Sequence, residues 1–326
     1  MKKLPGILIF LAMLLTSCEF DFDVEGKGEA ALFVNCICSP DSCRVDLARA
    51  VPVGSQVETA HFAPSAFNVS VNGDAAISGD GVIYFPHGLV SGDEISVHIE
   101  CAGYEPVDAV TVMPGRFELD SLSLSVEDIQ GVKLNMFTLH MDRQPSEDEF
   151  VGVIINRNVD ALIDGDWDNG TTFNDYASVM PIIGASTDPT LEMAQVNYPV
   201  ISEYDMLTLI PGKAFKEGRV TLSEVDFSDF ESPYMYDDFE IDDDYEEPEI
   251  LDTRISYDVI LMGVSEEFFR YSLARYKSER DFLAMMGLAP AQFAWSNIKN
   301  GFGVFAAINP VYKPFLETDI LILPDE

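Results

Sequence analysis

Basic residues are scarce in this 326-residue chain. Nineteen Lys and Arg stand against 56 Asp and Glu, a formal charge of −37. A surface of that sign repels nucleic acid and anionic lipid headgroups, and attracts divalent cations and basic partners. Nucleic acid is thereby excluded as a partner. Histidine is also scarce, with only His61, His87, His98 and His140. There is no Gly-x-Ser-x-Gly elbow, no His-Glu-x-x-His zinc motif and no glycine-rich phosphate loop after a strand. No carboxylate pair for glycoside hydrolysis stands out among so many acids. The chain therefore reads as a non-enzyme, with no catalytic residue to name. After residue 18, no stretch reaches the roughly 20 uncharged apolar residues that a membrane-spanning helix needs.

What is present starts at the front. The run Leu14-Leu15-Thr16-Ser17-Cys18 closes an apolar segment that follows Lys2 and Lys3. A basic start, roughly a dozen apolar residues and small residues before one cysteine make a bacterial lipoprotein signal. Residues 1–17 are then a signal peptide, and Cys18 is the lipidated first residue of the mature chain. Each buried methylene contributes about 0.8 kcal/mol, so several acyl chains anchor far more firmly than one. Without Lys2 and Lys3 the mature chain has 17 basic residues against 56 acidic, a formal charge of −39. Residues 18–28 read as an acidic tether carrying Glu19, Asp21, Asp23 and Glu25. Acids in that place resemble the export signal that sends Bacteroidetes-type lipoproteins to the outer face of the outer membrane. That resemblance implies an outer-membrane, lipid-anchored protein facing the cell exterior.

Four further cysteines remain, Cys36, Cys38, Cys43 and Cys101. An even number in an exported protein suggests two disulfides, with three pairings open. Cys38 and Cys43 flank the turn-like Ser39-Pro40-Asp41-Ser42. This favours Cys38–Cys43 closing a hairpin, with Cys36–Cys101 stapling a later strand. The rival is Cys36–Cys43 with Cys38–Cys101. A soft-metal thiolate site is the functional alternative.

Apolar content of 47% supports a real core. From 29 to 115, short alternating runs are separated by turn signals such as Asn72-Gly73-Asp74 and Ser91-Gly92-Asp93. This pattern predicts an Ig-like or transthyretin-like β-sandwich ending near Met113-Pro114-Gly115. Residues 116–326 predict a larger β-rich domain with one helix. The chain as a whole is expected to be all-β and mainly antiparallel. Its later strand candidates include Phe150–Arg157, Thr253–Met262, Gln292–Ile298 and Phe302–Ile308. The helix, over 265–284, has Ser265 as its cap, acids in its first turn, and Phe269, Leu273 and Tyr276 on one face.

Two acidic segments could carry binding chemistry. Asp164, Asp166 and Asp168 alternate, and Asp175 stands eleven residues after the first. A calcium loop needs such an array of hard oxygens with a glycine at its sixth position. Here Asn169 is sixth, and asparagine tolerates the left-handed conformation. The segment matches either a calcium site or a solvated acidic hairpin, and calcium is the one cofactor the residues suggest. Residues 223–252 form an acidic insert interleaved with aromatics, among them Tyr234, Tyr236, Phe239 and Tyr245. Charge repulsion makes it a long loop, and its aromatics suit anchoring in a partner's groove.

Several of these segments together resemble a known family. Cys18–Glu25, then Ala31–Val34, then Gly92-Asp93-Glu94-Ile95-Ser96-Val97 and Val112-Met113-Pro114, follow the order of the lipoprotein family catalogued as domain of unknown function 4249. The helix at 265–282 followed by Ser296-Asn297-Ile298-Lys299-Asn300-Gly301-Phe302-Gly303 matches it most specifically. Read from the residues alone, that last motif is fold-forming, since Asn-Gly marks a turn and Gly303 permits close backbone approach. The cysteine cluster and the acidic insert depart from the family pattern. Membership implies an accessory or binding protein beside a TonB-dependent outer-membrane transporter. The other reading of the chain is a calcium-stabilised adhesion or structural module.

Overall fold

Apolar and β-branched residues alternating with polar ones set most of the strands. The computed structural model describes residues 31–50, 61–73, 81–85, 88–129, 131–163, 166–168, 194–197, 206–225, 250–279, 281, 295–316 and 320–322. β1 (Ala31–Cys38) and β2 (Ser42–Ala50) form a hairpin. Its turn is held by the Ser39 N–H and hydroxyl, both donating to the Ser42 carbonyl at 2.7 and 3.2 Å. β3 (Phe67–Val71), β4 (Val82–Tyr84), β5 (Glu94–Cys101) and β6 (Val107–Val112) follow. β5 shows the period of two that a half-buried strand requires. Ile95, Val97, Ile99 and Cys101 point inward, while Ser96 and Glu100 point to solvent. Then come β7 (Leu119–Ile129), β8 (Val132–Met141), β9 (Phe150–Ile163), β10 (Asp166–Asp168), β11 (Ala194–Asn197), β12 (Met206–Pro211), β13 (Arg219–Val225) and β14 (Ile250–Val264). The helix α1 (Glu266–Glu279), β15 (Gly301–Leu316) and β16 (Leu321–Ile322) complete the order.

A nine-stranded sheet runs β11-β12-β9-β14-β15-β1-β2-β4, with β10 attached to β9. A three-stranded sheet, β3-β5-β6, and a four-stranded sheet, β13-β8-β7-β16, are separate from it. The fold is all-β and mainly antiparallel, with sandwich packing, as the alternation predicts. Alternate residues of the large sheet's strands feed opposite cores. Phe305 and Ala307 of β15 pack with β1, β2 and the three-stranded sheet. Phe315 of β15, with Tyr257, Val259 and Leu261 of β14, packs against the four-stranded sheet. Val304, Ala306 and Ile308 of β15, on the opposite face, pack under α1. Two small sheets thus cover one face of the large sheet, and the helix covers part of the other.

β15 links the two halves of this arrangement. Gly301–Ala307 pairs in parallel with Leu32–Cys38 of β1. From Ile308 to Leu316 the same strand pairs antiparallel with β14. At the handover stands Ser265, buried between β14 and α1. Its N–H donates to the Ala307 carbonyl at 2.9 Å, and its hydroxyl oxygen accepts from the Ala307 N–H at 3.2 Å. The same oxygen accepts from Phe268 N–H at 3.4 Å, which caps the helix as expected. Phe269 stacks on Phe150 with ring centroids 4.3 Å apart, which fixes α1 to the sheet.

The Ser296–Gly303 motif has the fold-forming role its residues suggest. Asn297 serves as a strand partner for Phe305. Its side-chain oxygen accepts from the Phe305 N–H at 3.0 Å, and its amide donates to the Phe305 carbonyl at 2.7 Å. Asn300 adopts φ 63° and donates to the Pro106 carbonyl at 3.1 Å. Gly303 has φ 105°, and a Cβ there would collide with the carbonyl oxygen of Val34. The motif ties β6 and the start of β15 to β1.

Three boundaries differ from the sequence reading. The helix ends at Glu279, and Asp281 lies outside it. Its buried stripe is also wider, because Phe268 and Ser272 join Phe269 and Leu273 against the sheet. Residues 295–298 are not a strand. Their apolar members serve two cores instead, Trp295 facing the helix side and Ile298 the sandwich. The acidic insert narrows at both ends, since β13 runs on to Val225 and β14 begins at Ile250. Near the expected boundary at 115, the chain passes from the three-stranded to the four-stranded sheet. Met113 is buried in the first core and Phe117 in the second. The large sheet takes strands from both sides of that point.

Candidate functional site

β1 turns Leu32, Val34, Cys36 and Cys38 toward the sandwich core. Cys38 stands directly opposite Cys43 in the β1–β2 register, and the two are bonded, with Cα atoms 3.9 Å apart. Cys36 and Cys101 are buried thiols. The expected Cys36–Cys101 bond is therefore not formed, and neither is the rival set. The Cys101 sulfur is not among those gathered around Cys36. Cys36 faces Val45 across the hairpin, whereas Cys101 closes β5 in the other sheet, opposite Phe67. Burial pushes both thiols up from their ordinary range, which disfavours the thiolate. The sulfurs of Cys36, Cys38 and Cys43 all lie within 4.8 Å of one another, and all three residues are buried. Among the described residues, no other group of His, Cys, Asp or Glu gathers in this way.

A second place of interest lies where the β6–β7 linker meets the start of α1. A cleft of about 190 Å³ is lined there by Gly115, Phe117, Glu149, Phe150 and the first residues of α1. Arg143 clasps Glu149 with two hydrogen bonds at 2.8 and 2.6 Å and lies 4.1 Å over the Phe117 ring. The Ser146 N–H and hydroxyl also donate to Glu149, at 2.8 and 3.1 Å. Glu267 accepts from the Thr111 hydroxyl at 2.8 Å. Glu149 and Glu267 are thus already engaged, and the Arg143–Glu149–Ser146 arrangement stiffens the β8–β9 turn.

That arrangement predicts a pH dependence. The Arg143 hydrogen bonds hold the Glu149 carboxyl below its ordinary 4.5. A depressed carboxylate adds stability that is present above its unfolded value and is lost as pH falls through the folded one. The pair is partly exposed, so the gain is screened to about 0.5 kcal/mol. Glu149→Gln is expected to flatten the acid limb of the stability profile below about pH 4.5. Parallel acid limbs for the two proteins in urea melts would rule the contribution out.

His98 and His140 sit as ordinary sheet residues on β5 and β8. His98 Nδ1 is 2.7 Å from Asp108 and its Nε2 is 3.5 Å from Glu100. The Asp108 hydrogen bond, ahead of Glu100, raises its pKa. His140 pairs with the Ser123 hydroxyl at 3.1 Å.

Other expected sites fall largely beyond the described residues. Cys18, Asp164, Asn169, Asp175, Tyr234, Tyr236, Phe239 and Tyr245 all lie outside them. Asp166 and Asp168 belong to β10, which pairs with Ala161–Ile163 of β9, so these two positions share one face of a strand. The sulfur triad was visible in the sequence only as a spacing. What located it was the register that sets Cys38 against Cys43.

Residues 18–313 match the family described as "Domain of unknown function (DUF4249)". No curated protein matches the chain. Among solved structures, the crystal structure of collagen adhesin (CNA) from S. aureus is similar at 8% identity. That match covers 89% of this chain and 96% of the other, with a TM-score of 0.15. The chain belongs to the DUF4249 family.

Proposed function

We propose that this DUF4249 protein is a lipid-anchored, surface-exposed accessory or binding protein of a TonB-dependent outer-membrane transport system. The observation that carries the reading is the signal ending at Cys18, with acids directly behind it. The family match begins at that same cysteine. No helix among the described residues is long and apolar enough to cross a membrane. On this reading attachment runs through the lipid on Cys18. The high negative charge supports a hydrated outer surface and contact with a basic partner patch. Sheet edges offer backbone groups to a partner strand. Among the described residues β4 ends the large sheet, and it carries Tyr84, which is 66% exposed.

Three readouts test this. Cys18→Ala is expected to move the protein from the membrane to the soluble fraction. Protease added to intact cells is expected to remove the wild-type protein, whereas protection would contradict surface exposure and leave the anchor standing. Affinity purification in mild detergent is expected to recover a TonB-dependent barrel in stoichiometric amount. Recovery of the protein alone would overturn the transporter association and favour the calcium-stabilised adhesion module.

A further inference from the structure

We propose that Cys36, Cys38 and Cys43, once the Cys38–Cys43 bond is reduced, form a three-thiolate site for one soft monovalent cation of the Cu(I) class. The geometry comes from the sheet. Cys36 and Cys38 are two apart on β1 and share its inward face, and the register brings Cys43 of β2 against Cys38. A trigonal site with metal–sulfur bonds of about 2.3 Å needs sulfurs about 4.0 Å apart. The three sulfurs lie within 4.8 Å of one another with Cys38 and Cys43 bonded, so after reduction those two side chains must rotate apart to reach that spacing while Cys36 already stands beside them.

The donor set selects the class of ion. No histidine or carboxylate belongs to the cluster, which leaves thiolates alone, the ligands of soft ions. Three ligands fall one short of the four that a structural zinc site takes. The surroundings exclude water, because Val34, Val45, Leu47 and Ile83 are buried in the same core. An uncompensated thiolate there is costly; a coordinated cation deprotonates the thiols it binds and offsets one of the negative charges they take on. Cys101, although buried in that core, lies outside the cluster.

Disulfide and metal exclude each other at these atoms. The bonded state commits two of the three sulfurs to one another. An external dithiol or phosphine reductant delivers two electrons to the Cys38–Cys43 bond. The sulfur–sulfur bond breaks, and each sulfur takes a proton as the reductant is oxidised. The cation then displaces protons from the thiols it binds. Access to the site is thereby set by redox state.

The test titrates the full chain with Cu(I) held by a chromogenic chelator, anaerobically, before and after phosphine reduction. The Cys18→Ala chain is run in parallel, so the result does not depend on whether Cys18 carries lipid. One equivalent is expected to leave the chelator for the reduced chain and none for the bonded chain. Losing only an outer partner of a ligand weakens a metal site by about 10–100-fold, so Cys36→Ser, which removes a thiolate ligand, is expected to lose at least that much. Cys101→Ser is expected to bind as the parent does. Should Cys36→Ser not fold, Cys36→Ala carries the comparison, with circular dichroism confirming the fold. Three outcomes would each overturn the proposal: no binding after reduction, equal binding with and without Cys36, or equal binding by the bonded chain.

Discussion

Gly303→Ala is expected to lower the stability of the chain far more than its one added methyl group suggests. Two effects combine. The φ of 105° costs an L-residue about 1–2 kcal/mol. The new Cβ also meets the Val34 carbonyl oxygen, the backbone atom around which β1 and β15 pair. Overpacking of that kind adds about 1–3 kcal/mol. The total is about 2–5 kcal/mol, a large fraction of what holds a domain folded. Gly131 provides the control, with φ 86° and nothing within 4 Å of the place a Cβ would take. Gly131→Ala is expected to cost only the conformational part, about 1–2 kcal/mol. Urea midpoints at constant slope measure both. Equal losses at the two positions would show that the approach of β15 to Val34 does not matter to stability.

Asn297→Ala should rank next. Asparagine here pairs with both the N–H and the carbonyl of Phe305, whose side chain is fully buried. Truncation leaves two backbone groups without their partner, at about 1–3 kcal/mol for each group that water does not reach. A loss of about 2–4 kcal/mol is expected, together with faster amide exchange at Phe305. Asn297→Asp separates hydrogen bonding from shape. It keeps an acceptor for the Phe305 N–H but sets a carboxylate against the Phe305 carbonyl, and its stability is expected to improve on acidification. A mild loss in Asn297→Ala with unchanged exchange at Phe305 would remove the strand-partner role.

The strands were legible because alternation is a local signal. Thr253–Met262 and Phe302–Ile308, read from their residues alone, fall inside β14 and β15. Ser265 was legible as a cap for the same reason. Its bonds to Ala307 were not, since they depend on a strand 42 residues away. The parallel pairing of β1 with β15 leaves no mark on either segment. Both read as apolar β-runs, and a run does not name its neighbour. The cysteines show the same limit. Turn chemistry pointed to Cys38 and Cys43, but the fate of Cys36 and Cys101 depended on how two sheets face each other. Trp295 and Ile298 misled because apolar residues that serve two different cores resemble a strand that serves one.

The partnership of β1 with β15 also sets an order of events for the newly made chain. Leu32 meets Gly301 near the opposite end of the polypeptide. Contacts so distant in sequence form slowly, because the loop between them must close before they contribute. The first sandwich cannot be completed as it emerges, and β1 must wait with one edge unpaired until the last strands arrive. A chain cut short before residue 301 loses the strand that both of its small sheets pack against. Premature termination or a nick in the final segment should therefore abolish the whole structure, leaving no intact amino-terminal half.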